Sequence, residues 1–192
     1  EGLQRLIEGN QRFVAGTSKH PNQSRARRDE LAASQHPFAT ILGCSDSRVP
    51  AEMVFDQGFG DLFVIRVAGN IVAPDDLGSI EYASHHLGVP LIVVLGHEGC
   101  GGVVSALLSD SVRAKEPQGI QALLNYIEPV VAGIDPGLSQ AERVHAAVEA
   151  NVRQSVRQLQ GTFELAHPDE GPDPTIVGAV YDLKTGKVRW LK

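Results

Sequence analysis

Five consecutive apolar residues, Leu91 to Leu95, stand between Gly88-Val89-Pro90 and Gly96. The run is short for a helix and offers no polar residue to either face, so it predicts a strand covered by protein on both sides. Two similar runs, Phe38 to Leu42 and Leu62 to Val67, read as further strands. Strands of this kind belong to parallel sheets packed between helices.

Helical spacing fills the intervals. Leu3, Leu6, Ile7, Phe13 and Val14 predict an amphipathic helix over Glu1 to Ala15, ended by Gly16. That helix either folds back on its own domain or lies across a second subunit. Ser24 is a plausible cap for a short helix over Arg25 to Ser34, and Pro50 to Phe55 reads as one more turn of helix. Asp75 or Asp76 is expected to cap a helix reaching Leu87, with Ile80, Tyr82, Ala83 and Leu87 inward. Further helices are expected over Val103 to Leu108, Gly119 to Ala132 and Ser139 to Gln160. After a Pro-rich loop from His167 to Pro174, strands Thr175 to Tyr181 and Val188 to Leu191 flank a hairpin turn ending at Gly186. The alternation predicts an α/β fold: a mainly parallel central sheet with an antiparallel edge strand, flanked by helices. A chain of 192 residues, 42% hydrophobic, is expected to form one domain over 1–192, with 1–36 as an N-terminal helical arm.

Chemistry concentrates directly after two of the strands. Cys44, Asp46 and Arg48 alternate along Cys44-Ser45-Asp46-Ser47-Arg48-Val49-Pro50, and an extended chain points all three the same way. His97 and Cys100 lie three apart in Gly96-His97-Glu98-Gly99-Cys100-Gly101. Two sulfurs and one imidazole make the Cys2His set that leaves one position of a zinc ion free, the pattern of a catalytic site. A Cys44–Cys100 disulfide is the plainer alternative, and two inert buried thiols another. Neither has a use for the neighbouring Asp46, Arg48 and His97. Ligands in parallel α/β sheets gather at the carboxyl ends of strands, where both motifs are expected. Gly99, Gly101 and Gly102 would allow the backbone close to an ion.

A net charge of −6 argues against a nucleic-acid partner, and Arg25 to Arg28 reads as a solvated helix face. No run approaches the ~18 apolar residues of a membrane span. The expected location is cytoplasmic, and Glu at position 1 leaves open a longer parent polypeptide.

In order, the two motifs resemble those of the β-class carbonic anhydrases. The likeness extends to Gly9-Asn10-Gln11-Arg12-Phe13, Phe63 to Asn70, Glu81-Tyr82 and Gly178 to Gly186. It implies Zn2+ held by Cys44, His97 and Cys100, with Asp46 and Arg48 as a dyad beside it. It also implies a substrate pocket of Gln35, Phe63 and Tyr82, with Gln35 and Tyr82 reaching the site from the other subunit's side. Ala68 stands where plant-type members carry Val. The implied assembly is a homodimer, or a dimer of dimers, formed through the N-terminal helix. The implied reaction is reversible hydration of carbon dioxide to bicarbonate and a proton, by zinc-bound hydroxide oriented by the dyad. Two thiolate ligands would make the bound water less acidic than an all-histidine site does, so activity is expected to rise into the alkaline range. Members that bicarbonate switches off pair an Arg and a Tyr with a Trp three residues before the first Cys. This chain has Arg66 and Tyr181 but Ile41, which favours an open, water-bound site.

Other histidines are less marked. His36, His85 and His86 are candidates for passing protons to buffer as well as ordinary surface or core residues, Glu98 reads as solvent-facing, and His20, His145 and His167 lack supporting neighbours. Hydrolysis of carbonyl sulfide or carbon disulfide would use the same groups. A non-catalytic bicarbonate-binding module would not need Asp46, Arg48 or Gln35. A structural or redox zinc protein would want a fourth ligand, and none sits at ligand spacing.

Overall fold

The computed structural model describes residues 1–166 and 173–192, with the side chains of 164–166 outside that description. The loop expected from His167 to Pro174 therefore lies outside the described residues as far as position 172. Strands β1 (Ala39–Gly43), β2 (Leu62–Arg66), β3 (Leu91–His97), β4 (Thr175–Tyr181) and β5 (Val188–Trp190) form one sheet in the order β2-β1-β3-β4-β5. Among the described residues the first three pairings are parallel and β4 with β5 is antiparallel. The sheet is thus the expected one. Asp182 N and Lys187 O pair across the closing hairpin, where Gly186 takes φ +73°. That is a conformation glycine adopts without strain.

Alternate side chains of the central strands feed two cores. Leu42, Ile92, Val94 and Val180 face a cluster shared with α4 (Pro74–His85), α5 (Gly101–Ala106), α7 (Gln118–Val131) and α8 (Gln140–Ala166). Ile41, Val93, Leu95 and Ala179 face the other cluster, under α1 (Gly2–Val14) and α3 (Ala51–Val54). Every residue of β1 and β3 is buried, as an unbroken apolar run requires.

Within the single chain, α1 packs against its own domain. Leu6 is fully buried, Asn10 Nδ2 donates to Val54 O and Gly186 O, and Asn10 Oδ1 accepts from Val188 N. Arg12 Nε donates to the buried Asp56 Oδ2 at 2.6 Å. Ser24 caps α2 (Arg25–Leu31) by accepting from Arg27 N, as its position predicts.

Other expectations shift. Neither Asp75 nor Asp76 is the cap of α4: the helix starts at Pro74, and Asp76 reaches back to accept from Ala73 N at 3.2 Å. Proline at the first helical position gives up an N–H that has no helical partner there and carries a φ already suited to a helix, which moves the start forward. Tyr82 does not join the inner face of α4, and is 49% exposed. An extra turn, α6 (Asp110–Arg113), precedes α7, and α8 runs six residues beyond the expected Gln160.

Candidate metal centre

Parallel β1 and β3 lie side by side, so residues leaving their carboxyl ends arrive together. Cys44 is the first residue after β1, His97 the last of β3, and Cys100 the residue before α5. All three are buried, and their ligand atoms lie within 4.8 Å of one another. The two sulfurs are 3.9 Å apart and both cysteines are free, against ~2.05 Å for a disulfide. Tetrahedral bonding with metal–sulfur distances of ~2.3 Å separates two sulfurs by ~3.8 Å. The pair is spaced to grip one such ion.

The imidazole is aimed to complete the set. His97 Nδ1 donates to Glu98 O at 3.1 Å, which leaves the lone pair on Nε2. Nε2 is buried without a hydrogen-bond partner. A buried acceptor in that condition is costly unless something electrophilic meets it.

Electrostatics point the same way. The Cys100 thiol donates toward Cys44 and so lowers the Cys44 thiol, against burial, while Cys100 is pushed up by holding that proton and by burial. Burial favours a neutral His97, but the neighbouring Cys44 sulfur, the Glu98 carbonyl and the Asp46 carboxylate together raise the ring. Two buried sulfurs this close can both ionise only beside a cation. Spacing, the orphaned nitrogen and the Cys-His-Cys donor set all suit a metal ion such as zinc.

Asp46 and Arg48 come together, though not by extended chain. Val49 N donates to Asp46 O at 3.0 Å, closing a tight turn that folds Arg48 back on Asp46. Arg48 N and Nε each donate to Asp46 Oδ1 at 2.9 Å, and Nη2 donates to Oδ2 at 2.7 Å. This fork holds the Asp46 carboxyl well below the usual carboxylate range. Asp46 Oδ2 lies 3.8 Å from His97 Nε2, so the carboxylate borders the ligand group.

Of the expected pocket residues, Phe63 lies against the core cluster that includes Cys44 and Cys100, and Gln35 and Tyr82 are exposed. Gln35 is exposed and lines a depression with Arg28, Leu31, Ala32, Phe59 and Gly60. Phe63 packs against the larger core, and its ring centroid is 6.3 Å from that of Tyr82. Tyr82 also meets His86 at 5.0 Å. The glycines around Cys100 differ in their surroundings, and only Gly99 has a backbone conformation that favours glycine. Gly99 takes φ +64°, a Cβ on Gly102 would stand 3.5 Å from Gly69, and Gly101 has open space.

Further residues support the ligand group. Arg66, at the end of β2 and in register with Gly43, donates through Nε to Cys44 O at 3.0 Å and through Nη2 to Asp46 O at 2.6 Å. In the sequence it was marked through the family likeness, with Tyr181, and locally by a lone charge closing an apolar strand. Glu98 is not simply solvent-facing and His145 is not without neighbours: Glu98 Oε1 and His145 Nδ1 are 2.9 Å apart. Asn151 and Ser155 are buried on α8 and bond the backbone at Gly69 and Asn70. Two polar residues inside an apolar helical stripe were the visible clue.

A family model described as carbonic anhydrase matches residues 39–188. The chain is 44% identical over 184 residues to carbonic anhydrase 2 of Mycobacterium tuberculosis, covering 95% of this chain and 87% of the relative. Among solved structures it is similar to the β-carbonic anhydrase CafA of Aspergillus fumigatus, with TM-score 0.77, 28% identity, and 100% and 91% of the two chains covered. It is also similar to one of the tetrameric β-carbonic anhydrases of Sordaria macrospora, with TM-score 0.72, 26% identity and coverage of 100% and 98%. Sheet order, the Cys-His-Cys group at the strand ends and these likenesses agree, and the chain belongs to the β-class carbonic anhydrases.

Proposed function

We propose that this chain binds zinc through Cys44, His97 and Cys100 and interconverts carbon dioxide and bicarbonate. The observation that carries the proposal is the donor set itself: two buried sulfurs 3.9 Å apart and a buried, unpartnered imidazole nitrogen. When bound, zinc supplies the acidity that makes water a nucleophile near neutral pH, muted here by two thiolates so that activity rises with alkalinity.

The chain's own groups do the rest. Asp46 borders the ligand group as a carboxylate and accepts a hydrogen bond from the reacting water, orienting its lone pair. Arg48 keeps Asp46 ionised and, by engaging both of its oxygens, holds it off the metal in the open arrangement. Burial of the ligands excludes bulk water from the back of the site.

The proposal extends to assembly. Gln35 and Tyr82 are exposed in the single chain, which suits residues that complete a pocket across a subunit boundary with Phe63. We assign a homodimer or dimer of dimers, with residues 1–36 as its arm and 1–192 as one domain. The tetrameric Sordaria macrospora relatives support such an assembly. Among the described residues no helix is long and apolar enough to cross a membrane. Two free buried thiols suit a reducing, cytoplasmic location.

Zinc content and stopped-flow hydration of carbon dioxide across pH, on wild type and Asp46→Asn, test the proposal. Expected are one zinc per chain in both and a rate lowered about 10²-fold or more in the variant. A zinc-loaded wild type without hydration would refute the enzyme reading, and an unimpaired variant would refute the role of Asp46.

A further inference from the structure

Asn151 of α8, the geometry points out, is a positioning residue that holds a backbone N–H against the Cys44 sulfur and thereby sets how tightly that sulfur grips the metal. This rests on the reading of Cys44 as a metal ligand.

Beyond β2 the chain turns through Ala68–Asn70, with Gly69 at φ +76° and Asn70 at φ +43°. The amide faces the metal group: Gly69 N donates to Cys44 Sγ at 3.4 Å. The carbonyls face α8, which takes them in sequence. Asn151 Nδ2 donates to Gly69 O at 2.8 Å, Ser155 Oγ to Asn70 O at 3.1 Å, and Gln158 Nε2 to Val72 O at 3.1 Å. Positions 151, 155 and 158 share one helical face, so a single helix clasps the whole turn.

Gly69 has little freedom left. Asn70 N donates to Val67 O at 3.0 Å and Val67 N to Gly43 O at 3.1 Å, tying the start of the turn to β1. A Cβ on Gly69 would meet Ile127 Cδ1 at 2.7 Å. The Gly69 N–H lies in the Ala68–Gly69 peptide plane and its carbonyl in the next, so Asn151 acts on the N–H by holding, together with the Asn70 N bond, the Gly69–Asn70 plane and the Cα on which that N–H hinges. Asn151 is itself 2% exposed, so water does not readily replace its amide.

An N–H aimed at a metal-bound thiolate withdraws electron density from the sulfur and orients its lone pairs. Losing such an outer contact typically costs ~10–100-fold in metal affinity. Ser155 makes a comparable buried bond one carbonyl further on, away from the sulfur, and so serves as a control matched for stability.

The test uses the full chain as wild type, Asn151→Leu and Ser155→Ala, each loaded with cobalt(II) and, separately, with zinc. For Asn151→Leu we expect the sulfur-to-cobalt charge-transfer band at longer wavelength and zinc affinity, measured against a competing chelator, lowered ~10-fold. For Ser155→Ala we expect an unmoved band and affinity within about twofold of wild type. Equal effects in both variants, or no effect in folded Asn151→Leu, would overturn the inference. If Asn151→Leu does not fold, Asn151→Ser, too short to span the gap, is expected to shift the band in the same direction, and its failure to do so overturns the inference equally. A wild type that takes up no cobalt into a sulfur-ligated site would instead refute the metal reading itself.

Discussion

Gly96→Ala perturbs the joint between the strand carrying His97 and the helix behind it. A Cβ at position 96 would stand 2.4 Å from Val152 Cγ2, with Val148 Cγ1 at 3.7 Å and Asn70 Oδ1 at 3.5 Å. Carbon atoms rest at ~3.5–4.0 Å, so about 1 Å of retreat is needed. Val152 is fully buried and β-branched, with one favoured rotamer on a helix, so α8 itself must move. Overpacking of this kind costs ~1–3 kcal/mol, and relief of glycine's backbone entropy returns ~0.5–1 kcal/mol. The net expectation is a loss of about 1–2 kcal/mol, or ~2–8 °C in Tm for a chain of this size. Val152→Ala alone removes two buried methyl groups and costs about 2–3 kcal/mol once the cavity is included. The double variant Gly96→Ala/Val152→Ala makes room for the new methyl and should cost ~2 kcal/mol, well below the sum. Thermal and urea unfolding of the four proteins measures the coupling. Additive losses, or a neutral Gly96→Ala, would show that α8 does not bear on β3 as described.

Three further outcomes follow from the site and the arm. Arg48→Leu strips two side-chain donors from Asp46 and should lower carbon dioxide hydration about 10²-fold with zinc retained; a rate within threefold of wild type would refute the pairing's role. Cys100→Ala should lose stoichiometric zinc and hydration together, and full zinc content by elemental analysis would mean that another residue supplies the ligand. Burial alone would raise the Asp56 carboxyl, but Lys19 N–H, the Arg12 guanidinium and His20 N–H bring it below the ordinary value. A depressed carboxyl contributes stability above the unfolded value of ~3.9 and loses it as pH falls through the folded one. Asp56→Asn should therefore cost ~3 kcal/mol at neutral pH, with the gap to wild type closing below about pH 4. A gap independent of pH would contradict this.

The sheet and the ligand set were legible because each had a local cause. Leu91 to Leu95 shows burial on both faces in five letters, and a thiol or imidazole just past such a run must emerge at a strand end. His145 and Asn151 were not legible as site residues, and Arg66 was marked only through the family likeness. Arg66 matters through register with Gly43, and Asn151 and His145 through the placement of α8 behind β3. Contacts of that kind depend on tertiary placement rather than on spacing. The start of α4 went astray because Asp75 and Asp76 outweighed the signal of Pro74 just ahead of them. The pocket residues Gln35, Phe63 and Tyr82 show a different limit: their positions match the family pattern, while Gln35 and Tyr82 are exposed in the single chain and Gln35 lines a depression that includes neither Phe63 nor Tyr82.

Zinc-edge X-ray absorption of the purified full chain bears most directly on the metal centre. Two sulfur scatterers at ~2.3 Å, one imidazole nitrogen at ~2.0–2.1 Å and one further light atom are expected at near-neutral pH, and all three protein ligands should vanish as a set in Cys44→Ala. Absence of sulfur from the zinc shell, or a closed shell with no light atom beyond the imidazole, would contradict an open Cys2His site.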